Sequence, residues 1–182
     1  CSQSFGVGRH RAIHVFKAPD GIGCKGEYAG TEHSTASAGD GEVSYSGVEL
    51  DQASAGRLMK AFQSFVPELW LVKAHHMTIC MGTLADAKSY DTRSVAMEHQ
   101  AQVRALCVGQ PVALRVVSVG RAEGVIAAGV IGCVTTNRTP HVTIACEKGH
   151  KPFESNFITT WDPVPEEMLI TITGVVREFC VE

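Results

Sequence analysis

One short pattern occurs twice in this chain, as HMTI at residues 76–79 and as HVTI at residues 141–144. The surrounding composition predicts that both copies lie in β-strands. Side chains alternate between the two faces of a strand, so the histidine and threonine of each copy share one face and the two apolar residues share the other. Two such strands side by side would present two imidazoles and two hydroxyls to a single groove.

These four side chains suit chemistry at a phosphate group. A neutral imidazole can accept a proton, a protonated imidazole can donate one, and hydroxyls can hold phosphate oxygens. An ordinary histidine has a pKa of about 6.5, so both forms are accessible near neutral pH. We therefore predict that His76, Thr78, His141 and Thr143 are catalytic. The alternative is a pair of half-buried strands whose histidines are only hydrogen-bonded.

The bulk composition restricts the classes of function. The chain has 182 residues, enough for one domain with a full core, and 45% of them are hydrophobic. Its net charge of −3 argues against broad electrostatic binding of duplex nucleic acid, although a single nucleotide or an RNA end remains compatible with it. We find neither an apolar run that could span a bilayer nor a secretory signal.

Seven cysteines are scattered along the chain without a Cys-x-x-Cys pair. Their odd number and irregular spacing argue against a disulfide framework or a zinc knuckle. They indicate a reducing compartment, the cytoplasm or the nucleus. Because the chain begins at Cys1 rather than at a methionine, we expect that it is part of a longer polypeptide.

Hydrophobic periodicity predicts an α+β protein in which helices pack against antiparallel sheet. Predicted strands cover residues 11–18, 69–81, 112–119, 124–134, 141–146 and 168–181. Predicted helices cover residues 49–65 and 91–107, with Asp91 as the N-cap of the second. Residues 120–124 form a predicted hairpin connection. Residues 19–47 and 148–161 are predicted loops, and the second includes the start of a short helix.

The segment after the second motif offers candidate substrate-binding residues. Lys148, His150 and Lys151 form a small basic cluster that could attract a phosphate, the alternative being a solvated loop.

Further along the same segment, the hydroxyl of Ser155 or the amide of Asn156 could read a base, and Trp161 could stack on one. The alternative role for Trp161 is that of a lid over the core.

The other histidines carry weaker signals. His75 precedes the first motif and should point to the opposite face of its strand, which favours a structural role. His99 should lie on a helix face. The remaining three histidines, for which we also expect structural roles, lie near the N-terminus: His10, His14 and His33.

Other recognisable catalytic patterns are missing from the sequence. The histidines at and beside the two motifs form no His-x-x-x-His, and the chain contains no His-Glu-x-x-His, no phosphate-binding P-loop and no Gly-x-Ser-x-Gly elbow. We therefore predict no metal site and no cofactor.

With its two His-x-Thr motifs, the chain resembles the 2H phosphoesterases, a family named for such a pair. The resemblance rests on HMTI at 76–79 and HVTI at 141–144, on their separation and on the chain length. It implies a single domain over residues 1–182 with a bilobal fold. In that fold, two antiparallel sheets flank a central cleft, helices lie on the outside, and each lobe contributes one motif.

The resemblance also implies an activity. Members of the family act without metal on RNA ends or nucleotides, including 2′,3′-cyclic phosphates and 2′-5′ linkages. Examples are the cyclic phosphodiesterase domains of tRNA ligases and the myelin-type cyclic nucleotide phosphodiesterases. We therefore expect a 2′,3′-cyclic phosphodiesterase that acts on an RNA end or nucleotide and needs no membrane, linked in the full-length protein to kinase or ligase domains of RNA repair. The alternatives are a 2′-5′ phosphodiesterase, an enzyme that trims RNA 3′ ends, and a non-catalytic module that binds RNA ends.

Overall fold

The structure is a computed structural model that describes residues 42–88 and 97–180, all within one compact unit spanning residues 38–182. Its described strands are β1 (Val43–Leu50), β2 (Leu71–Val72), β3 (His76–Met81), β4 (Pro111–Ala122), β5 (Val125–Ile131), β6 (His141–Cys146), β7 (Trp161–Pro163) and β8 (Thr171–Cys180). Its described α-helices are α1 (Gln52–Phe62) and α2 (Met97–Arg104). Short 3-10 helices cover Gln63–Phe65, Pro152–Phe157 and Glu166–Met168.

The described strands pair antiparallel in the order β2-β6-β3-β1-β8-β4-β5, with β7 beside β4. Strand β6 also pairs with β5, so six strands form a closed ring of neighbours. The prediction of an α+β protein with antiparallel sheet is confirmed. Hydrogen-bonded pairing joins all the described strands into one sheet, whereas the resemblance implies two.

The two motif strands place their apolar residues in the core. Met77 and Ile79 of β3 are fully buried, as are Val142 and Ile144 of β6. They pack in one cluster with Leu58 and other side chains of α1. Because side chains alternate along a strand, the histidine and threonine of each motif lie on the face turned away from this core.

A kink at Ala74 lies between β2 and β3, the strand that carries the first motif. The predicted strand over residues 69–81 is two strands, since Ala74 has a φ of 33° and β3 begins only at His76. Before the kink, the amides of Lys73 and Ala74 each donate to a β6 carbonyl at 2.8 Å. After it, β3 pairs along its length with β1 and meets β6 only at Met77 and Val142. The two strands therefore part at the motifs.

Two predicted boundaries next to strand β1 are wrong, the end of a loop and the start of a helix. The predicted loop over residues 19–47 is wrong at its end, because β1 begins at Val43. The predicted helix over 49–65 begins too early, because Glu49 and Leu50 pair with β8. Helix α1 starts after Asp51, whose carboxylate accepts from the amide of Ser54 as an N-cap.

Other boundaries agree more closely. Strand β6 has the predicted bounds, and β4 and β5 are joined by a tight turn in which Gly124 adopts a φ of 68°. The predicted strand over 11–18, the histidines His10, His14 and His33, and the Asp91 cap lie outside the described residues. Neither described α-helix has the length and apolarity needed to cross a membrane.

We expect the core face of β6 to carry much of the stability. Replacing Ile144 with alanine should lower the free energy of unfolding by about 2–5 kcal/mol, because it removes a fully buried side chain. Ile131 of β5 is 51% exposed, so Ile131→Ala should cost less than about 1 kcal/mol and serves as the matched control. Urea unfolding of both variants measures the difference, and equal losses would contradict the assigned core.

Candidate active site

A cavity of about 430 Å³ lies where β3 and β6 part. Both histidines and both threonines of the motifs line it. The residues that strands contribute to its wall are Tyr45, His76, Thr78, Met81, His141 and Thr143. The residues that loops and the Pro152–Phe157 helix contribute are Asn137, Lys151, Pro152, Phe153 and Asn156.

A backbone hydrogen bond orients the ring of His141. Its Nδ1–H donates to the carbonyl of Thr139 at 2.8 Å, so the neutral ring carries its lone pair on Nε2. The side chain is buried, and burial lowers the pKa of His141 while the bond to Thr139 opposes that shift. Trp161 packs beside the imidazole, with ring centroids 5.8 Å apart.

The imidazole of His76 is surrounded by other rings. Its centroid lies 5.1 Å from that of Tyr45, 4.6 Å from that of His75 and 5.8 Å from that of Phe179. Its Nδ1 is buried and has no hydrogen-bond partner among the described residues. Burial, and then the charges of His75 and His141, lower the pKa of His76 to about 4. The ring is therefore neutral at pH 7.

The two threonines differ in what their hydroxyls do. The Thr143 hydroxyl lies 3.2 Å from the carbonyl of Pro152, to which it donates, and 3.0 Å from the hydroxyl of Ser155. The hydroxyl of Thr78 has no such partner within residues 42–88 and 97–180, although it lines the cavity. Thr78 is therefore free to donate to a phosphate oxygen, whereas Thr143 holds the Pro152–Phe157 helix against β6.

The Pro152–Phe157 helix forms one wall of the cavity. The Glu154 carboxylate accepts from the amide of Lys151 at 3.0 Å and bonds the Nδ1 of His150 at 2.7 Å, which fixes the start of the helix. These bonds lower the pKa of Glu154, and the carboxylate raises the pKa of His150. Thus anchored, the segment places Lys151, Phe153 and Asn156 in the cavity wall.

The predicted substrate-binding residues have different positions. Lys151 lines the cavity, whereas Lys148 and His150 are not among the described residues of its wall. Ser155 is buried behind Thr143. Trp161 packs against His141, and a Cβ on Gly120 would lie 2.7 Å from its ring. In this structure Trp161 supports the His141 side of the cavity.

Two lining residues came from segments in which the sequence showed no site. Tyr45 falls in the predicted loop over 19–47, and its partners on β3 and β8 are distant in sequence. Asn137 belongs to the loop between β5 and β6, which docks on β3 because the hydroxyl of Thr135 donates to the carbonyls of Thr78 and Ile79, each at 2.9 Å. Only long-range pairing brings these residues to the motifs.

No model of a known protein family matches this chain, and no curated protein sequence does. Among the described residues, no group of three or more His, Cys, Asp or Glu side chains is arranged to hold a metal ion.

The buried state of His76 should make stability depend on pH. Its pKa is about 4 in the folded protein and about 6.5 in an unfolded chain, so the unfolded chain binds more protons between these values. The stability that His76 contributes is present above pH 6.5 and is lost as the pH falls toward 4. We expect His76→Asn to reduce this acid-induced loss by up to about 3 kcal/mol, measured by urea unfolding at pH 7 and pH 4.5.

His150→Asn is the control for this measurement. Because Glu154 raises the pKa of His150, that residue stabilises the fold at low pH, and its removal should make the acid-induced loss steeper. An acid response that is the same in His76→Asn and in the wild type would show that His76 is not buried as described.

Proposed function

We propose that this chain hydrolyses 2′,3′-cyclic phosphates on RNA ends or nucleotides by two-histidine acid–base catalysis that requires no metal ion. The observation that carries the proposal is that His76, His141 and Thr78 line one cavity, where the Thr78 hydroxyl has no hydrogen-bond partner among the described residues. The reaction needs three groups: a proton acceptor, a proton donor and a hydrogen-bond donor to the negatively charged phosphate oxygen.

In this reaction a water oxygen attacks phosphorus and the bond from phosphorus to one ribose oxygen breaks. One imidazole takes the proton of the water, and the other protonates the leaving ribose oxygen. The Thr78 hydroxyl donates to a non-bridging oxygen as negative charge develops there, and Lys151 at the cavity wall adds a positive charge.

The hydrogen bond of the His141 ring supports a division of roles. Because Nδ1–H of His141 is held by the Thr139 carbonyl, Nε2 of the neutral ring is ready to accept a proton, which is the state of a general base. His76 then serves as the acid. An anionic phosphate in the cavity favours its protonated form, and the burial that lowers its pKa makes the proton easy to transfer.

The rest of the cavity is compatible with a nucleotide. Phe153 offers an aromatic surface for a base, and Asn137 and Asn156 offer amides for hydrogen bonds. The bilobal arrangement of the 2H phosphoesterases is part of this proposal. It is supported by the sparse pairing of the two motif strands, because β3 and β6 pair at one residue pair, Met77 with Val142.

We expect His76→Ala and His141→Ala each to lower kcat on a 2′,3′-cyclic nucleotide by about 10²–10⁴-fold, the usual contribution of an acid–base group. The assay contains EDTA, and circular dichroism checks the fold. An aryl phosphodiester separates the roles, because its phenolate leaves without protonation. On that substrate His76→Ala should regain most of the lost rate, and His141→Ala should not.

The control variant is His99→Ala, which alters an exposed histidine of α2 and should leave kcat within about twofold. Loss of activity in EDTA that zinc or magnesium restores would contradict the mechanism. Rescue of His141→Ala instead of His76→Ala would reverse the two roles. Turnover of 2′-5′ linkages alone would favour a 2′-5′ phosphodiesterase. Turnover of RNA 3′ ends alone would favour a trimming enzyme, and binding without turnover would favour a non-catalytic module that binds RNA ends.

The two threonines should differ in the same assay. Thr78→Val should lower kcat by about 10–100-fold, because it removes a donor to a charged oxygen. Thr143→Val should affect stability more than kcat, since it leaves the buried Ser155 hydroxyl without that partner, at a cost of about 1–3 kcal/mol. Steady-state kinetics and urea unfolding measure both, and the reverse pattern would assign the phosphate contact to Thr143.

A further inference from the structure

The two motif histidines are held in place by different means. The ring of His141 has the backbone bond to Thr139, whereas Nδ1 of His76 has no hydrogen-bond partner among the described residues. Without such a bond, an imidazole is free to rotate unless its neighbours confine it. The neighbours of His76 that can do so are three rings: that of His75, which is exposed, and those of Tyr45 and Phe179.

The ring of Tyr45 is itself held in place by a second ring, that of Phe179. It stacks on Phe179 with centroids 4.5 Å apart and planes at 13°, and the two residues are cross-strand partners in β1 and β8. Gly47, next on the same face of β1, keeps this arrangement open: a Cβ there would lie 2.8 Å from the Met77 carbonyl and 3.4 Å from the Phe179 ring. The sheet therefore presents a preformed aromatic wall to His76.

We propose that Tyr45 is a positioning residue for His76, and that its ring, backed by Phe179, holds the imidazole at the cavity and shields it from water. The ring is the part that acts. The Tyr45 hydroxyl makes no hydrogen bond within the described part of the chain, and burial together with the charge of Glu49 raises the pKa of Tyr45, so it stays neutral.

Removing this wall should change the titration of His76. Several charged or titratable groups face the ring or its surroundings: Tyr45 and Glu49 from β1, Arg177 of β8 bound to Glu49, His75 just before β3, His141 from β6 and Lys151 at the cavity wall. Replacing Tyr45 by alanine leaves all the other groups in place. It admits water to the imidazole, which favours the charged form.

The test compares Tyr45→Ala with Tyr45→Phe. NMR titration of the His76 ring in the whole chain should show its pKa raised by about one pH unit or more in Tyr45→Ala and unchanged in Tyr45→Phe. The kinetic part rests on the proposed function. There, kcat on a 2′,3′-cyclic nucleotide should fall at least about tenfold in Tyr45→Ala, with a smaller change in KM. In Tyr45→Phe, kcat should stay near the wild-type value.

The two readouts keep this proposal separate from the proposed function. If the wild type has no activity, the proposed function fails while the NMR titration still tests Tyr45. An unchanged His76 titration in Tyr45→Ala would overturn the positioning role, and a Tyr45→Phe variant that behaves like Tyr45→Ala would assign the effect to the hydroxyl instead. If Tyr45→Ala does not fold, Phe179→Leu removes the backing ring, and the same shift in the His76 titration is expected.

Discussion

The cavity depends on how strand β6 pairs with the chain on either side of Ala74. Before that residue, backbone amides bond β6 directly, and after it only Met77 meets Val142. The positive φ of Ala74 is an uncommon conformation for a residue with a Cβ, and it turns the chain at the point where pairing gives way to an opening. Each motif then keeps its apolar residues in a continuous core while its histidine and threonine line the gap.

The two motifs are alike in sequence but not in surroundings. His141 is oriented by a carbonyl and Thr143 is tied to the Pro152–Phe157 helix, so the β6 side of the cavity is built from hydrogen bonds. On the β3 side, His76 lies among rings and the Thr78 hydroxyl has no such partner in the described residues. An asymmetric reaction, in which one group accepts a proton and the other donates one, suits such an asymmetric pair.

Sequence proximity to a motif proved a poor guide to the cavity wall. Lys148, His150 and Lys151 follow β6 within a few residues, yet only Lys151 lines the cavity. His150 instead bonds Glu154 and helps to fix the start of the next helix. Conversely, Tyr45 stands far from both motifs in sequence, in a Ser- and Gly-containing stretch that predicts a loop. It becomes a strand residue because β3 and β8 pair on either side of it.

The sequence by itself determined the α+β class, the bounds of β6 and the faces of the motif residues, because strand alternation is a local property with a period of two. Only the tertiary structure decided that β3 and β6 part at the motifs, that all the described strands join in one sheet, and which outlying side chains complete the wall. These depend on pairings between residues far apart in the chain and on one kink at Ala74, whose backbone conformation no local pattern specifies. Local periodicity can say which way a side chain points, but what it meets there is set by the strands that pack around it.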